Sequence, residues 1–105
     1  RAIVIVPYAL DTNDMKFWLA PGYTPQQWLD YAIDTFERLL AEGAHAPVMM
    51  SLGLHLRIIG RPGRIGALER FIAHVRAAPG VWVAPRLDIA RAFAAAVPAP
   101  AEAAP

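Results

Sequence analysis

Apolar positions along this chain follow two rhythms in turn. Ala2-Ile3-Val4-Ile5-Val6 is an unbroken, mostly β-branched run closed by Pro7. Such a run, with no polar alternation, predicts a strand covered on both faces, as in parallel sheets. Leu10 to Pro21 reads as a loop rich in Asp, Asn and aromatic residues. Thr24-Pro25-Gln26-Gln27 then opens a helix: Thr24 suits the cap, Pro25 the first helical position, and Gln27 completes a capping box. Trp28, Leu29, Ala32, Ile33, Phe36, Leu39 and Leu40 follow at helical spacing, Asp34 and Arg38 form an i,i+4 pair opposite, and Gly43 supplies the stop. Val48 to Leu54 is a second apolar strand with His55 at its C-terminal end.

Gly60-Arg61-Pro62-Gly63 is a turn. Ile65, Leu68, Ile72 and Val75 mark a second helix, with Glu69, Arg70 and Arg76 on its wetter side. Gly80-Val81-Trp82-Val83 is a third strand, and Pro85 opens a third helix whose apolar positions are Leu87, Ile89, Ala90 and Phe93. Val97 to Pro105 is an Ala/Pro-rich stretch expected to be a disordered tail.

Three strands alternating with three helices predict an α/β fold with parallel pairing through right-handed crossovers. Three parallel strands are an incomplete sheet, about a third to a half of a closed ring. The expected organisation is one barrel portion over residues 1–96 and a tail over 97–105. Composition agrees with an incomplete unit: 56% hydrophobic against 18% charged suits a segment buried on several sides better than a free-standing domain of 105 residues. Arg1 stands where the first strand begins at once, so sequence upstream is expected to be missing.

The formal net charge of +1 gives no electrostatic footprint for nucleic acid or an acidic membrane surface. The apolar runs fall far short of a membrane span. The absence of cysteine excludes disulfides, zinc-thiolate sites and cysteine nucleophiles. It is compatible with a reducing compartment, and a cytoplasmic location is the expectation.

Active sites of parallel α/β folds collect at the C-terminal ends of strands. Two segments qualify, Pro7 to Asp14 and Ser51 to Arg57. His55 is the candidate general acid or base, with Asp11 or Asp14 as the carboxylate that orients it. A histidine bonded only to backbone at a strand end is the competing reading. His45 reads as a solvated loop residue and His74 as a half-buried packing residue. The three histidines lack metal-ligand spacing, so no metal site is expected from this chain alone. Arg57, Arg61 and Arg64 surround the Gly/Pro turn and could form an anion or carboxylate pocket; for Arg64 a structural pairing is preferred. Trp18, Tyr23 and Trp28 could line a substrate pocket, although such aromatics are more often core or subunit contacts. Met49 and Met50 read as core filling.

Val6-Pro7-Tyr8, Asp11 to Phe17, Met49 to His55 and Gly60 to Arg64 together resemble the polysaccharide deacetylase superfamily (NodB-like), and within it the PuuE-type allantoinase branch. The likeness runs on through Val81 to Ala84 and Asp88 to Arg91, and it corresponds to the C-terminal portion only. It implies a distorted (β/α) barrel that hydrolyses amide C–N bonds. The superfamily's Asp-Asp pair and His-x-x-x-His metal motif belong to the N-terminal half and are not in this sequence. A divalent metal, where the whole barrel holds one, is therefore expected from that half and no cofactor from this chain. Leu54-His55 resembles the segment whose histidine acts as general acid, and Asp14 matches the aspartate that orients it. Met15 stands where sugar deacetylases commonly carry tryptophan, which favours the allantoinase branch.

The resemblance thus implies opening of the hydantoin ring of allantoin, with His55 and Asp14 catalytic and Tyr8, Asp11, Trp18, Arg57 and Arg61 as substrate-binding candidates. The expected partner is a small amide or ureide substrate, and a homo-oligomer is expected because members of the branch are often tetrameric. A polysaccharide or peptidoglycan N-deacetylase is the alternative within the same chemistry. An inactive folding or association module is the alternative of another class.

Overall fold

A computed structural model describes residues 2–101; Arg1 and residues 102–105, the end of the expected tail, lie outside the described residues. The chain divides into two compact units, one spanning Tyr8–Val81 and the other Arg1–Pro7 with Trp82–Pro105.

The first unit is built on two helices. Helix α1 covers Pro25–Glu42. Its capping box forms as the sequence predicts: Thr24 Oγ1 accepts from the Gln27 amide at 3.1 Å, and Gln27 Oε1 accepts from the Thr24 amide at 3.0 Å. Trp28, Leu29, Ala32 and Phe36 are its buried face, an i,i+4 stripe. Gly43 does end the helix, but in a right-handed conformation (φ −62°). Arg38 turns forward to Glu42, at 3.9 Å, rather than back to Asp34. Two short pieces were not anticipated by the periodicity. A 3-10 helix spans Asp14–Phe17, and α2 is a single turn over Leu56–Ile59.

Helix α3 covers Pro62–Ala77, close to the expected span, but its inner face is rotated from the predicted one. Ala67 and Phe71 are the buried positions, Leu68 and Val75 pack at the margin, and Ile72 is 48% exposed. The cause is aromatic packing. Phe71 meets both Trp28 and Phe36 edge-on, with centroids 6.3 Å away in each case, and Trp28 stacks on Phe17 at 5.9 Å. Aromatic side chains bury more area than isoleucine, and Ala67 is small enough to let α3 approach closely, so the Ala67/Phe71 face wins. Ile58 and Ile59, from α2, complete this core.

The second unit contains α4, Arg86–Ala96, which Pro85 precedes as expected. None of its residues is buried; Leu87 and Phe93 are 59% and 53% exposed. Arg86 Nη1 donates to the carbonyls of Val6 and Pro7 at 2.9 and 3.3 Å, tying α4 to the N-terminal segment of its own unit.

The three predicted parallel strands do not appear as a ladder among the described residues. The sole strand-type pairing is an isolated parallel bridge between Asn13 and Gly53. Residues 2–6, 48–52 and 81–83 form no named strand and no other regular element. A strand exists only through hydrogen bonds to a neighbouring strand, whereas an apolar run records only a preference for burial. Ile3, Ile5 and Val83 accordingly stand 81%, 79% and 77% exposed rather than covered on both faces.

Candidate active site

The bridge between Asn13 and Gly53 sets the site. Asp14 N donates to Gly53 O at 2.9 Å, Gly53 N donates to Thr12 O at 2.8 Å, and Thr12 Oγ1 donates to Ser51 O at 2.6 Å. Residue 53 must be small here, because a side chain on it would run into the carboxamide of Asn13. That carboxamide is itself held: its Oδ1 caps the Met15 amide at 2.9 Å and its Nδ2 donates to Ala9 O at 3.2 Å. Asn13 is thus the N-cap of the 3-10 helix, and Asp14 is its first residue. Two residues beyond Gly53 the chain reaches His55, the N-cap of α2.

These elements aim Asp14 at His55. Asp14 is fully buried. Its Oδ1 lies 2.7 Å from His55 Nδ1. Its Oδ2 accepts from the His55 amide at 2.7 Å and from the Ile59 amide at 3.2 Å. One carboxylate therefore does two things. It accepts from the amide of His55, the N-cap residue of α2, and shares the Ile59 amide with the His55 carbonyl, while the His55 side chain itself makes no cap hydrogen bond. It also fixes the imidazole plane. A buried charge is tolerated only when its lone pairs are met, and three donors meet those of Asp14.

An ionised carboxylate only accepts, so Nδ1 carries the proton. That leaves Nε2 as the variable atom, a lone pair in the neutral ring and an N–H in the charged one. The His55 side chain is 37% exposed and Nε2 makes no hydrogen bond among the described residues. The pair is therefore arranged to give or take one proton at one known atom.

The other candidates divide. Asp11 is not on His55: its carboxylate accepts from the Tyr31 hydroxyl and lies 3.8 Å from Lys16 Nζ. The choice between Asp11 and Asp14 as neighbour of His55 is thereby made for Asp14. Lys16 in turn sits over the rings of Tyr31 and Tyr23, 4.5 and 5.5 Å from their centroids. Tyr31 titrates above its ordinary range, first because it donates to the Asp11 carboxylate and then through desolvation. Trp18 and Arg57 come together, the guanidinium carbon 5.2 Å from the indole centre. Arg61 Nε donates to the carbonyl of Arg57 at 3.1 Å. Arg64 is structural, donating to Ile58 O at 3.1 Å and lying over Phe17 at 4.7 Å. Tyr8 is 83% exposed and Trp28 belongs to the core.

His74 is half-buried against Phe36, with Nε2 2.6 Å from Glu37 Oε1, and His45 is exposed. Among the described residues no three His, Cys, Asp or Glu side chains converge as a metal site would require. His55 Nδ1 and His74 Nε2 are already engaged by carboxylates. The described residues thus assemble no metal-ligand cluster of their own.

Three features of the site lay beyond the periodicity: the Asn13 cap, the Thr12–Ser51 bond and the Tyr31–Asp11 bond. Asn13 preceding Asp14 carried a signal, since Asn caps turns through its side-chain oxygen. The long-range bonds carried none.

Comparison with known proteins places this geometry. No family model matches the chain. A Schizosaccharomyces pombe protein assigned as a polysaccharide deacetylase is 45% identical over 100 residues, which is 93% of this chain and 31% of that protein. The crystal structure of a Pseudomonas aeruginosa PAO1 protein assigned as a polysaccharide deacetylase superposes with a TM-score of 0.86 at 48% identity. It matches 90% of this chain and 32% of its own. Over the stretch it spans, this chain is similar to the polysaccharide deacetylases. The crystal structure of PuuE allantoinase superposes equally well, with a TM-score of 0.86 and 47% identity over 90% of this chain and 32% of that one. Both structural neighbours are NodB-like (β/α) barrels. The chain spans about a third of the length of these relatives. Among its described residues, no helix is long and apolar enough to cross a membrane.

Proposed function

We propose that this chain is the C-terminal part of a (β/α)-barrel hydrolase of non-peptide C–N bonds, and that the reaction is allantoinase-type opening of a hydantoin ring. The supporting observation is the buried Asp14 carboxylate set 2.7 Å from Nδ1 of a half-exposed His55. In the proposed reaction water adds to the ring carbonyl and the C–N bond breaks. Charged His55 gives its Nε2 proton to the departing nitrogen and ends neutral, its Nδ1–H still bonded to Asp14. Water supplies both the new oxygen and, in the balance, the proton that recharges the ring. The strands read from the sequence would complete their ladders within the whole barrel, which also supplies the water-activating group.

A positioned general acid contributes roughly 10²–10⁴-fold. That falls short of a full amide-hydrolysis catalyst, which also needs a base and oxyanion stabilisation. The 105-residue chain alone is therefore expected to be inactive. The second reading, an N-deacetylase of polysaccharides, is favoured by the assignments of the yeast and Pseudomonas relatives.

The test is a substrate panel on the parent barrel, allantoin and hydantoin against N-acetylglucosamine oligomers, followed by His55→Ala. Ring opening that falls at least a hundredfold in the variant supports the proposal. Turnover of the N-acetyl sugars alone would replace the substrate assignment, and a variant within a few-fold of the parent would remove His55 from the chemistry.

A further inference from the structure

Arg57 and Trp18 make a contact that the His55–Asp14 pair does not need. Trp18 ends the 3-10 helix that Asp14 begins, and Arg57 follows His55 by two residues on α2. The two elements that carry the acid pair therefore each send one further side chain to a common point. There the guanidinium lies over the indole, its carbon 5.2 Å from the ring centre. Trp18 is 51% exposed and Arg57 is exposed as well, so burial does not explain the contact.

A cation–π contact has a chemical consequence. It holds a guanidinium by its charge and uses none of its N–H donors. Arg57 keeps those donors, since its side chain makes no hydrogen bond or ion pair among the described residues, whereas Arg61 and Arg64 each commit one nitrogen to a carbonyl, of Arg57 and of Ile58. A planar, uncommitted donor fork matches two acceptor oxygens in one plane. It does not suit the puckered face of a pyranose. A sugar would instead use the flat indole of Trp18, one face of which the guanidinium covers.

We infer that Arg57, held over Trp18, is a specificity-determining residue that binds the carbonyl edge of a planar substrate, and that Trp18 acts through Arg57 rather than on the substrate. The inference rests on the ring-opening reading above. It assigns ground-state binding to Arg57 and leaves proton transfer to His55.

The experiment is a double-mutant cycle on the parent barrel with allantoin as substrate. Arg57→Gln should raise KM at least tenfold while kcat stays within about threefold. Arg57→Lys should fail to restore KM, because an ammonium keeps the charge but loses the fork. Trp18→Leu should raise KM severalfold, and the Trp18→Leu/Arg57→Gln protein should match Arg57→Gln within twofold, because the indole has nothing left to hold. A KM within twofold of the parent in Arg57→Gln, while His55→Ala is inactive, overturns this inference alone. Additive effects in the cycle overturn it too, by placing Trp18 directly on substrate. A parent that hydrolyses only N-acetylglucosamine oligomers overturns the ring-opening reading and this inference with it. Melting temperatures of all four proteins separate binding loss from misfolding.

Discussion

The molecule contains two histidine–carboxylate pairs of almost the same length, and they are not equivalent. His55 Nδ1 lies 2.7 Å from Asp14, and His74 Nε2 lies 2.6 Å from Glu37. The carboxylates differ most. Asp14 is 0% exposed and also accepts from two backbone amides, whereas the Glu37 side chain is 52% exposed on the outer side of α1. The engaged nitrogens differ as well. Bonding through Nδ1 leaves His55 Nε2, the outer atom of the ring, for a reactant. Bonding through Nε2 spends that outer atom on His74, while the ring packs edge-on against Phe36. Distance alone would rank the two pairs together. Burial, backbone donors and the choice of nitrogen separate the proposed proton-transfer pair from a surface clasp.

The widest gap should appear in catalysis. In the parent barrel, Asp14→Asn should lower kcat by roughly 10²–10⁴-fold, the span expected for a disabled general acid. Glu37→Gln should leave kcat within twofold. An asparagine at residue 14 cannot serve both sides at once. With its oxygen toward the imidazole, its amide nitrogen faces the His55 and Ile59 amides; turned over, it faces the imidazole N–H. Steady-state rates of the two variants decide the comparison, and equal losses would erase the distinction drawn here.

The same substitution should separate the pairs in stability. Asp14→Asn leaves buried donors unmet, and such a loss costs on the order of 1–3 kcal/mol, more where a charged acceptor is removed. Chemical denaturation should show a lowered midpoint with an unchanged slope.

Gly53→Ala tests how the Asp14 pair is positioned rather than how it reacts. The new methyl would meet the Asn13 carboxamide, which is pinned at both ends. Overpacking of this kind costs roughly 1–3 kcal/mol. Adding Asn13→Ala should recover part of the loss by clearing the space. If the double variant is as unstable as the sum of the two single ones, the steric account is wrong.

How much of this was legible beforehand follows from where each interaction lies along the chain. Capping at Thr24 and Gln27 is local, and it could be read from four consecutive residues. The orientation of α3 was not readable to the same degree. Isoleucine spacing favours Ile65/Ile72, but the aromatic cluster of Trp28, Phe36 and Phe71 is assembled from two helices and turns the inner face to Ala67/Phe71. The apolar runs at 2–6 and 48–54 signalled burial, yet pairing partners cannot be read from hydropathy, and Gly53 bridges to Asn13 instead. For the site, residue chemistry left Asp11 and Asp14 equal. The difference is made by Tyr31 and Lys16, which hold Asp11, and by Gly53, which receives the Asp14 amide. Both are contacts over long sequence separation, and no spacing rule reports them.

A smaller effect belongs to the exposed pair itself. His74→Ala and Glu37→Gln should each shift stability by only about 0–1 kcal/mol, the usual scale for solvent-screened ion pairs. The His74 loss should sit at the upper end, because the ring also packs against Phe36. Thermal melts at low and high salt check this, since screening should shrink the Glu37 effect and leave the packing effect.

The smallest expected effect concerns Asp11, the carboxylate that does not reach His55. Tyr31 donates to it, and this hydrogen bond, with desolvation and the Asp11 charge adding to it, raises the phenol above its ordinary value of 10.0. A folded-state pKa above the unfolded one means the protonated phenol is the form that stabilises the fold. That contribution is complete below the unfolded value and disappears as pH rises through the folded one. The fold should therefore lose stability above about pH 10. Tyr31→Phe should be slightly less stable than the native chain at pH 8, and the difference should shrink as pH rises through the raised folded-state value. Absorbance titration should lose one tyrosine step in the variant. A gap that stays constant across this range would mean that the Tyr31–Asp11 bond contributes nothing to holding the segment that carries Asp14.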